Sequence, residues 1–374
     1  MIMPLPADKS DFIGLEGFVH LASGGEPPLL QIHRQAFERF ASDKARGFPG
    51  YHAHWDLAED VRVKVGRLVG LDAGDVAFLG NASDGIERAV SGIDWWEGDN
   101  VVVPDLDYAS GRYALSNLRG RGVELRLVPH DGWMLDENAL ISRCDGRTRL
   151  IYVSQVNALT GQHVDIGRIS DAAADTGTAL LVDASHALGA VPVRADLCDF
   201  LVSSTYKFLL GTHQGIFTWN RKRHPDFRPS GVGWWSAEPG SGPGEFALKT
   251  DAKRAEYGNV GHLGLYLLQD SIAYLERYGI DAIANHVRAL SGRMIEGMHA
   301  LGLDVMTPDE ADKRAANAAF AHENPGALVQ AAERENILIW GDQGRVRASA
   351  HLFTTHEDVE TFLGRLPELL TRSG

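Results

Sequence analysis

The chain has 374 residues, with 36 Lys and Arg against 50 Asp and Glu, a formal charge of −14. That length allows two domains, or one large domain with a smaller partner, and 44% hydrophobic against 23% charged residues supplies a core without staples. The acidity excludes nucleic acid and anionic membrane as expected partners, because such a surface repels phosphate on average, while leaving room for a local basic pocket. Two cysteines, Cys144 and Cys198, are too few for a disulfide framework or a four-thiolate metal site and read as small core residues; no metal is expected. The first residues show no basic region followed by an apolar one, and no apolar run nears the ~18 residues of a membrane span, so a cytoplasmic location is expected.

In chain order, the first 45 or so residues show no assignable periodicity. Short β-rich runs then alternate with helical stretches. The runs are Val76–Leu79, Asn100–Val103, Glu124–Val128, Leu150–Ser154, Ala179–Val182, Phe200–Ser203 and Gly215–Trp219. Helical candidates between them include Gly85–Ile93, Ser110–Arg119 and Ile166–Thr176. Apolar runs separated by helices predict a mostly parallel sheet covered on both faces. Residues 221–250 hold Pro225, Pro229, Pro239 and Pro243 and read as irregular. Two long helices are expected at Leu263–Tyr278 and Asp281–Leu301, then an α+β unit closed by a helix at Glu357–Leu370. The predicted organisation is an N-terminal segment, 1–45, packing with the small domain; a large α/β domain, 46–250; and a small C-terminal domain, 251–374.

In open α/β sheets ligands bind beyond the C-terminal strand ends, so the residues that follow each strand are the ones to inspect. After Leu79 come Gly80-Asn81-Ala82-Ser83-Asp84-Gly85, where a helix start and a hydroxyl suit a phosphate, or simply cap the helix. After Val182 come Asp183-Ala184-Ser185-His186, and after Ser203 come Ser204-Thr205-Tyr206-Lys207. A carboxylate and a lysine at neighbouring strand ends are a buried salt bridge, two unrelated loop residues, or the pair that pyridoxal 5'-phosphate (PLP) requires. PLP needs a lysine for its Schiff base and a carboxylate to keep the pyridine nitrogen protonated.

The stretch Val182-Asp183-Ala184-Ser185-His186-Ala187-Leu188-Gly189, through Ser204-Thr205-Tyr206-Lys207 to Gly211 and Gly215, resembles the class V aminotransferase family. These fold-type I PLP enzymes include kynureninase, cysteine desulfurase and isopenicillin N epimerase. The resemblance runs from Val19–Gly25 to Arg345–Ser349. It implies a fold-type I, α/β transferase-like architecture, with Lys207, Asp183 and His186 as catalytic residues. Lys207 would carry the cofactor and move protons at Cα, Asp183 would face the pyridine nitrogen, and His186 would sit near the phenolic oxygen. Ala82, Ser83, Ser185, Ser204 and Tyr206 complete the implied cofactor set, and Tyr108 matches the aromatic position that stacks on the ring. Arg347 matches the arginine that takes the substrate carboxylate, with Arg345 as its rival and with Asn157 and Gly25 also on the substrate side. A homodimer with shared sites is implied, and Asn259 is the candidate for reaching a neighbour's phosphate.

Two observations bear on the reaction. Cysteine desulfurases of this family use a loop cysteine shortly before the substrate arginine, whereas Asn336–Gly344 holds no thiol. The segment Val156-Asn157-Ala158-Leu159-Thr160-Gly161-Gln162 resembles a kynureninase pattern, as does Gly233-Trp234-Trp235, but Ala158 and Leu159 replace two aromatics. The expectation is a β-lyase acting on a small-to-medium α-amino acid, with a cysteine S-conjugate or kynureninase-like substrate. Transamination, epimerisation and oxygen-dependent decarboxylating deamination are the rivals, and a non-catalytic PLP-binding partner protein is the alternative of another class.

Overall fold

The computed structural model describes residues 3–373. The chain opens with strand β1 (Val19–His20) and helices α1 (His33–Lys44) and α2 (Phe48–Val69). Helix α2 begins after Gly47 with Pro49 in its first turn, and Gly70 closes it in the left-handed region at φ 78°. Then come β2 (Val76–Leu79), α3 (Ala82–Ser91), β3 (Asn100–Pro104), α4 (Ala109–Asn117), β4 (Glu124–Val128), α5 (Glu137–Ser142) and β5 (Thr148–Ser154). Next are α6 (Ile166–Thr176), β6 (Ala179–Asp183), β7 (Phe200–Ser204) and β8 (Gly215–Trp219). A short hairpin of β9 (Ala237–Pro239) and β10 (Phe246–Leu248) interrupts the stretch expected to be irregular. The remainder is α7 (His262–Glu276), α8 (Ile280–Ala300), β11 (Asn317–Ala321), α9 (Pro325–Glu333), β12 (Ile337–Leu338), β13 (Trp340–Asp342), β14 (Arg345–Ser349) and α10 (His356–Ser373).

The seven apolar runs become one seven-stranded sheet in the order β2-β8-β7-β6-β5-β3-β4. Neighbours from β7 to β4 are parallel, and β8 runs antiparallel to both β2 and β7. Every residue of β2, β3, β6, β7 and β8 is buried, as a sheet covered on both faces demands. Alternate residues feed two cores: Val102, Ile151 and Val182 pack on one face, Val101, Leu150 and Leu181 on the other. Because β2, β3, β5, β6 and β7 all point the same way, the segments that follow them meet along one edge.

A second, antiparallel sheet has the order β11-β14-β13. Its apolar face, with Ala318, Phe320, Val346 and Ala348, packs with Leu290, Leu328 and Phe362 of α8, α9 and α10. Its other face carries Asn317, Arg347 and Ser349 toward the large sheet, where Asn317 meets His186. The N-terminal segment is tied to this region, since β1 pairs with β12 and Ala22 bridges Ser349. Among the described residues no helix is long and apolar enough to cross a membrane.

Candidate active site

Lys207 follows β7 in a tight turn, Asp183 ends β6, and His186 lies in the loop after it. All three are buried. They line one cavity together with Ala82, Ser83, Tyr108, Ser185, Ser204 and Tyr206, so the structure brings nine of the expected site residues to one place. Burial pulls the Lys207 amine down to about 8; Asp183 opposes that shift and Arg347 reinforces it. The ammonium is therefore held near the point of proton loss, which a nucleophilic lysine needs. Asp183 accepts from the Ser185 amide at 2.8 Å and the Tyr152 hydroxyl at 3.4 Å, fixing its carboxylate at the cavity floor.

His186 is held well below the usual histidine range by burial and by the nearby cations Lys207 and Arg347. Its Nδ1 lies 3.1 Å from Asn317 Nδ2. This hydrogen bond fixes the ring's orientation and ties it to the small sheet. The Tyr108 ring is half exposed, and Lys207 Nζ lies 5.5 Å from its centre and 5.7 Å from the centre of the Tyr206 ring.

The other end of the cavity is a helix start. Asn81, rather than Ser83 or Asp84, caps α3, and its side chain accepts from the Asp84 amide at 2.9 Å. That leaves the first-turn amides and the Ser83 hydroxyl facing the cavity, where Ser83 donates to Ser110 at 2.9 Å. Ser204 and Ser185 complete this polar end and are joined through the Ser204 amide at 3.0 Å.

Arg347 is buried on β14, and one Nη donates to Ala158 O at 2.5 Å. Burial is the main influence lowering its pKa, and Arg345 adds repulsion. A guanidinium nonetheless stays charged at neutral pH. A methyl added at Gly24 would lie 2.8 Å from Ser349 Oγ, 3.0 Å from Arg347 Nη2 and 3.0 Å from His186 Cε1, so only glycine leaves this space open. Gly24 is thus the residue against Arg347 and His186. A methyl added at Gly25, the expected one, would instead lie 3.5 Å from Ala22 O and 4.0 Å from the Trp340 ring.

Two further expected residues lie outside the cavity lining. Asn157 accepts from the Leu159 and Thr160 amides and donates to Leu106 O, so its side chain shapes the turn that presents Ala158. Asn259 is exposed and accepts from the Tyr51 hydroxyl of α2 at 3.0 Å. Conversely, Asp107 was not singled out by sequence reasoning. It is buried, accepts from the Ser154 amide at 2.8 Å, the Tyr108 amide at 2.7 Å and the Ser154 hydroxyl, and burial pushes it up to about 6. It fastens the end of β5 to the loop carrying Tyr108; the only signal was an Asp immediately before the stacking aromatic.

These residues fit PLP. The cavity offers a lysine and a carboxylate at separate strand ends, and a hydroxyl-lined helix start that suits a phosphate. Next to the cavity, around Gly24 where it approaches His186, the buried Ser23 Oγ, Ser349 Oγ and Arg347 Nε have no partner, as a site meant for an anion would leave them.

This arrangement on a mostly parallel sheet defines a fold-type I PLP-dependent enzyme. Residues 27–362 match the family model of class V aminotransferases, and the chain belongs to that family. It is similar to a probable cysteine desulfurase of Methanothermobacter thermautotrophicus, 26% identical over 365 residues that cover 91% of each chain. It is also similar to a kynureninase of Shouchella clausii, at 24% over 385 residues, 95% of this chain and 89% of the relative. Among solved structures, the apo cysteine desulfurase of Thermococcus onnurineus NA1 superposes with a TM-score of 0.90 at 21% identity over 99% of both chains. The cystine C–S lyase C-DES, in complex with its product cysteine persulfide, gives 0.87 at 20% identity, covering 95% of this chain and 98% of that one.

Proposed function

We propose that the protein is a β-lyase that cleaves a Cβ–S bond in a small-to-medium α-amino acid of the cysteine S-conjugate kind. The observation that carries this reading is the lack of a usable thiol at the site in an enzyme similar to sulfur-handling relatives. The segment between β12 and β14 holds Trp340, the first residue of β13, and no cysteine. Cys144 precedes β5 and Cys198 precedes β7, so both lie at the sheet edge opposite Lys207. Burial pushes Cys144 up to about 11 and Cys198 well above the usual thiol range. No thiolate of this chain is placed to take sulfur, and the sulfur leaves with its own substituent.

PLP, when bound, supplies an electron sink for the pair left at Cα on proton loss. Lys207 Nζ, deprotonated, takes that proton. Asp183 would hold a proton on the ring nitrogen, and the Ser83 and Ser204 hydroxyls with the Ala82 amide would hold the phosphate. Arg347 grips the substrate carboxylate as a planar fork. Loss of the Cα proton and departure of the Cβ substituent as a thiolate give, after hydrolysis, pyruvate and ammonia.

The test is a panel of amino acids and cysteine S-conjugates assayed for pyruvate, thiol, amino transfer and oxygen uptake. Stoichiometric pyruvate and thiol are expected; amino transfer to a keto acid without pyruvate would overturn elimination. The kynureninase-like segment at Val156–Gln162 supports a second reading, Cβ–C cleavage, whose product would be alanine instead. A homodimer is also proposed, in which the exposed Asn259 would serve its neighbour's cavity. A monomer in sedimentation that still retains the cofactor would refute it.

A further inference from the structure

The face of the small sheet turned toward the large one carries a ladder of side chains leading away from His186. Strand register places Asn317 opposite Ser349, then Ala319, Arg347 and Trp340 in one row, then Ala321, Arg345 and Asp342 in the next. Alternate residues of a strand share a face, so Arg345 lies on the same side as Arg347, one row and about 7 Å further from His186 along β14. Arg345 is 4% exposed, as is Arg347. The two guanidinium carbons stand 5.0 and 4.7 Å from the centre of the same Trp340 ring, so they cannot be further apart than those distances laid end to end.

Neither cation has a carboxylate at ion-pair distance among the described residues, and only the charge of Asp342, the cross-strand neighbour of Arg345, reaches either of them. Nε of each has no hydrogen-bond partner, and no carboxylate charge offsets Arg347. Asp342 is the one acid whose charge reaches Arg345, and its two oxygens are engaged by the Gln343 amide at 2.8 Å and the Gln343 side chain at 3.2 Å. Two buried guanidinium groups on one strand face, Arg347 with no carboxylate and Arg345 with only the already engaged Asp342, are unfavourable unless an anion adds to their neutralisation.

We infer that Arg345 is a specificity-determining residue that binds a second anionic group, carboxylate or similar oxyanion, on the substrate's side chain, while Arg347 binds the α-carboxylate. The preferred substrates are then dianionic amino acids whose Cβ substituent ends in an acid group, and Trp340 forms the flat wall between the two anchor points. The inference rests on the assignment of the α-carboxylate to Arg347 and is independent of whether elimination or another reaction follows.

Calorimetric titration of the holoenzyme with glutarate and with butyrate, which cannot react, tests it. Glutarate is expected to bind at least tenfold more tightly than butyrate. Arg345→Gln should erase that advantage while leaving butyrate within threefold, and Arg345→Lys should restore part of it. Arg347→Gln should weaken both probes. Equal weakening of both probes by Arg345→Gln, or no glutarate advantage in the parent protein, would overturn the inference. Unchanged binding of both in Arg347→Gln would instead overturn the underlying carboxylate assignment. Circular dichroism and cofactor content of each variant separate these outcomes from misfolding.

Discussion

Replacing Lys207 by Met should stabilise the cofactor-free protein at neutral pH. The lysine is buried, and burial pulls its amine from an ordinary 10.5 to about 8. At about 1.4 kcal/mol per tenfold change in the proton equilibrium, that shift corresponds to roughly 3 kcal/mol by which the charged amine disfavours the folded state. Below pH 8 the lysine is protonated in both folded and unfolded chains, and the whole penalty is present. Between pH 8 and 10.5 the folded chain has released a proton that the unfolded chain still holds, so the penalty fades as pH rises. Above 10.5 it is gone. Urea unfolding of cofactor-free parent and Lys207→Met proteins should therefore show the variant more stable by up to roughly 3 kcal/mol at pH 7, with the gap narrowing by pH 9.5. A variant no more stable at pH 7, with the same pH dependence as the parent, would refute the burial argument. The same strained amine should make cofactor uptake by the apoprotein faster with rising pH, through a midpoint near 8.

Other consequences are equally specific. Arg347→Gln removes a charge-assisted fork worth about 1.5–3 kcal/mol, so KM for amino-acid substrates should rise roughly ten- to 150-fold with cofactor content unchanged. Asp107→Ala leaves the Ser154 and Tyr108 amides without their acceptor and should destabilise by about 2–5 kcal/mol, measurable by urea unfolding. Arg62 of α2 and Glu256 form a buried pair at 2.7 Å that also receives the Phe78 amide and the Trp235 indole. Breaking it with Arg62→Met should cost about 3–5 kcal/mol, as should Glu256→Gln.

Much of this architecture is legible in the sequence because a doubly covered parallel sheet needs continuous apolar strands, and runs such as Leu150–Ser154 and Phe200–Ser203 leave little else to read. Helix α1 was not visible: it buries only His33 and Ala36, too little for an apolar stripe to stand out. The start of α3 was placed late, because Asn81, Ser83 and Asp84 are all good caps and only the fold decides among them. Lysine and carboxylate positions followed from strand ends, which is where the fold must put chemistry. Beside Gly25 and Asn157, the neighbours Gly24 and Ala158 make the contacts to Arg347, since a turn can hand a contact from one residue to the next. Sequence alone does not choose between Arg345 and Arg347, because residues two apart on a strand face the same way. Asp107 escaped notice because burial, not residue type, gives it its role.

Reductive trapping tests the central claim most directly. The purified protein should absorb in the visible range, lose that band on treatment with borohydride, and yield a single peptide carrying the reduced pyridoxyl phosphate on Lys207. Label on another lysine, or a visible band that survives in Lys207→Ala, would contradict the assignment of this cavity as the cofactor site.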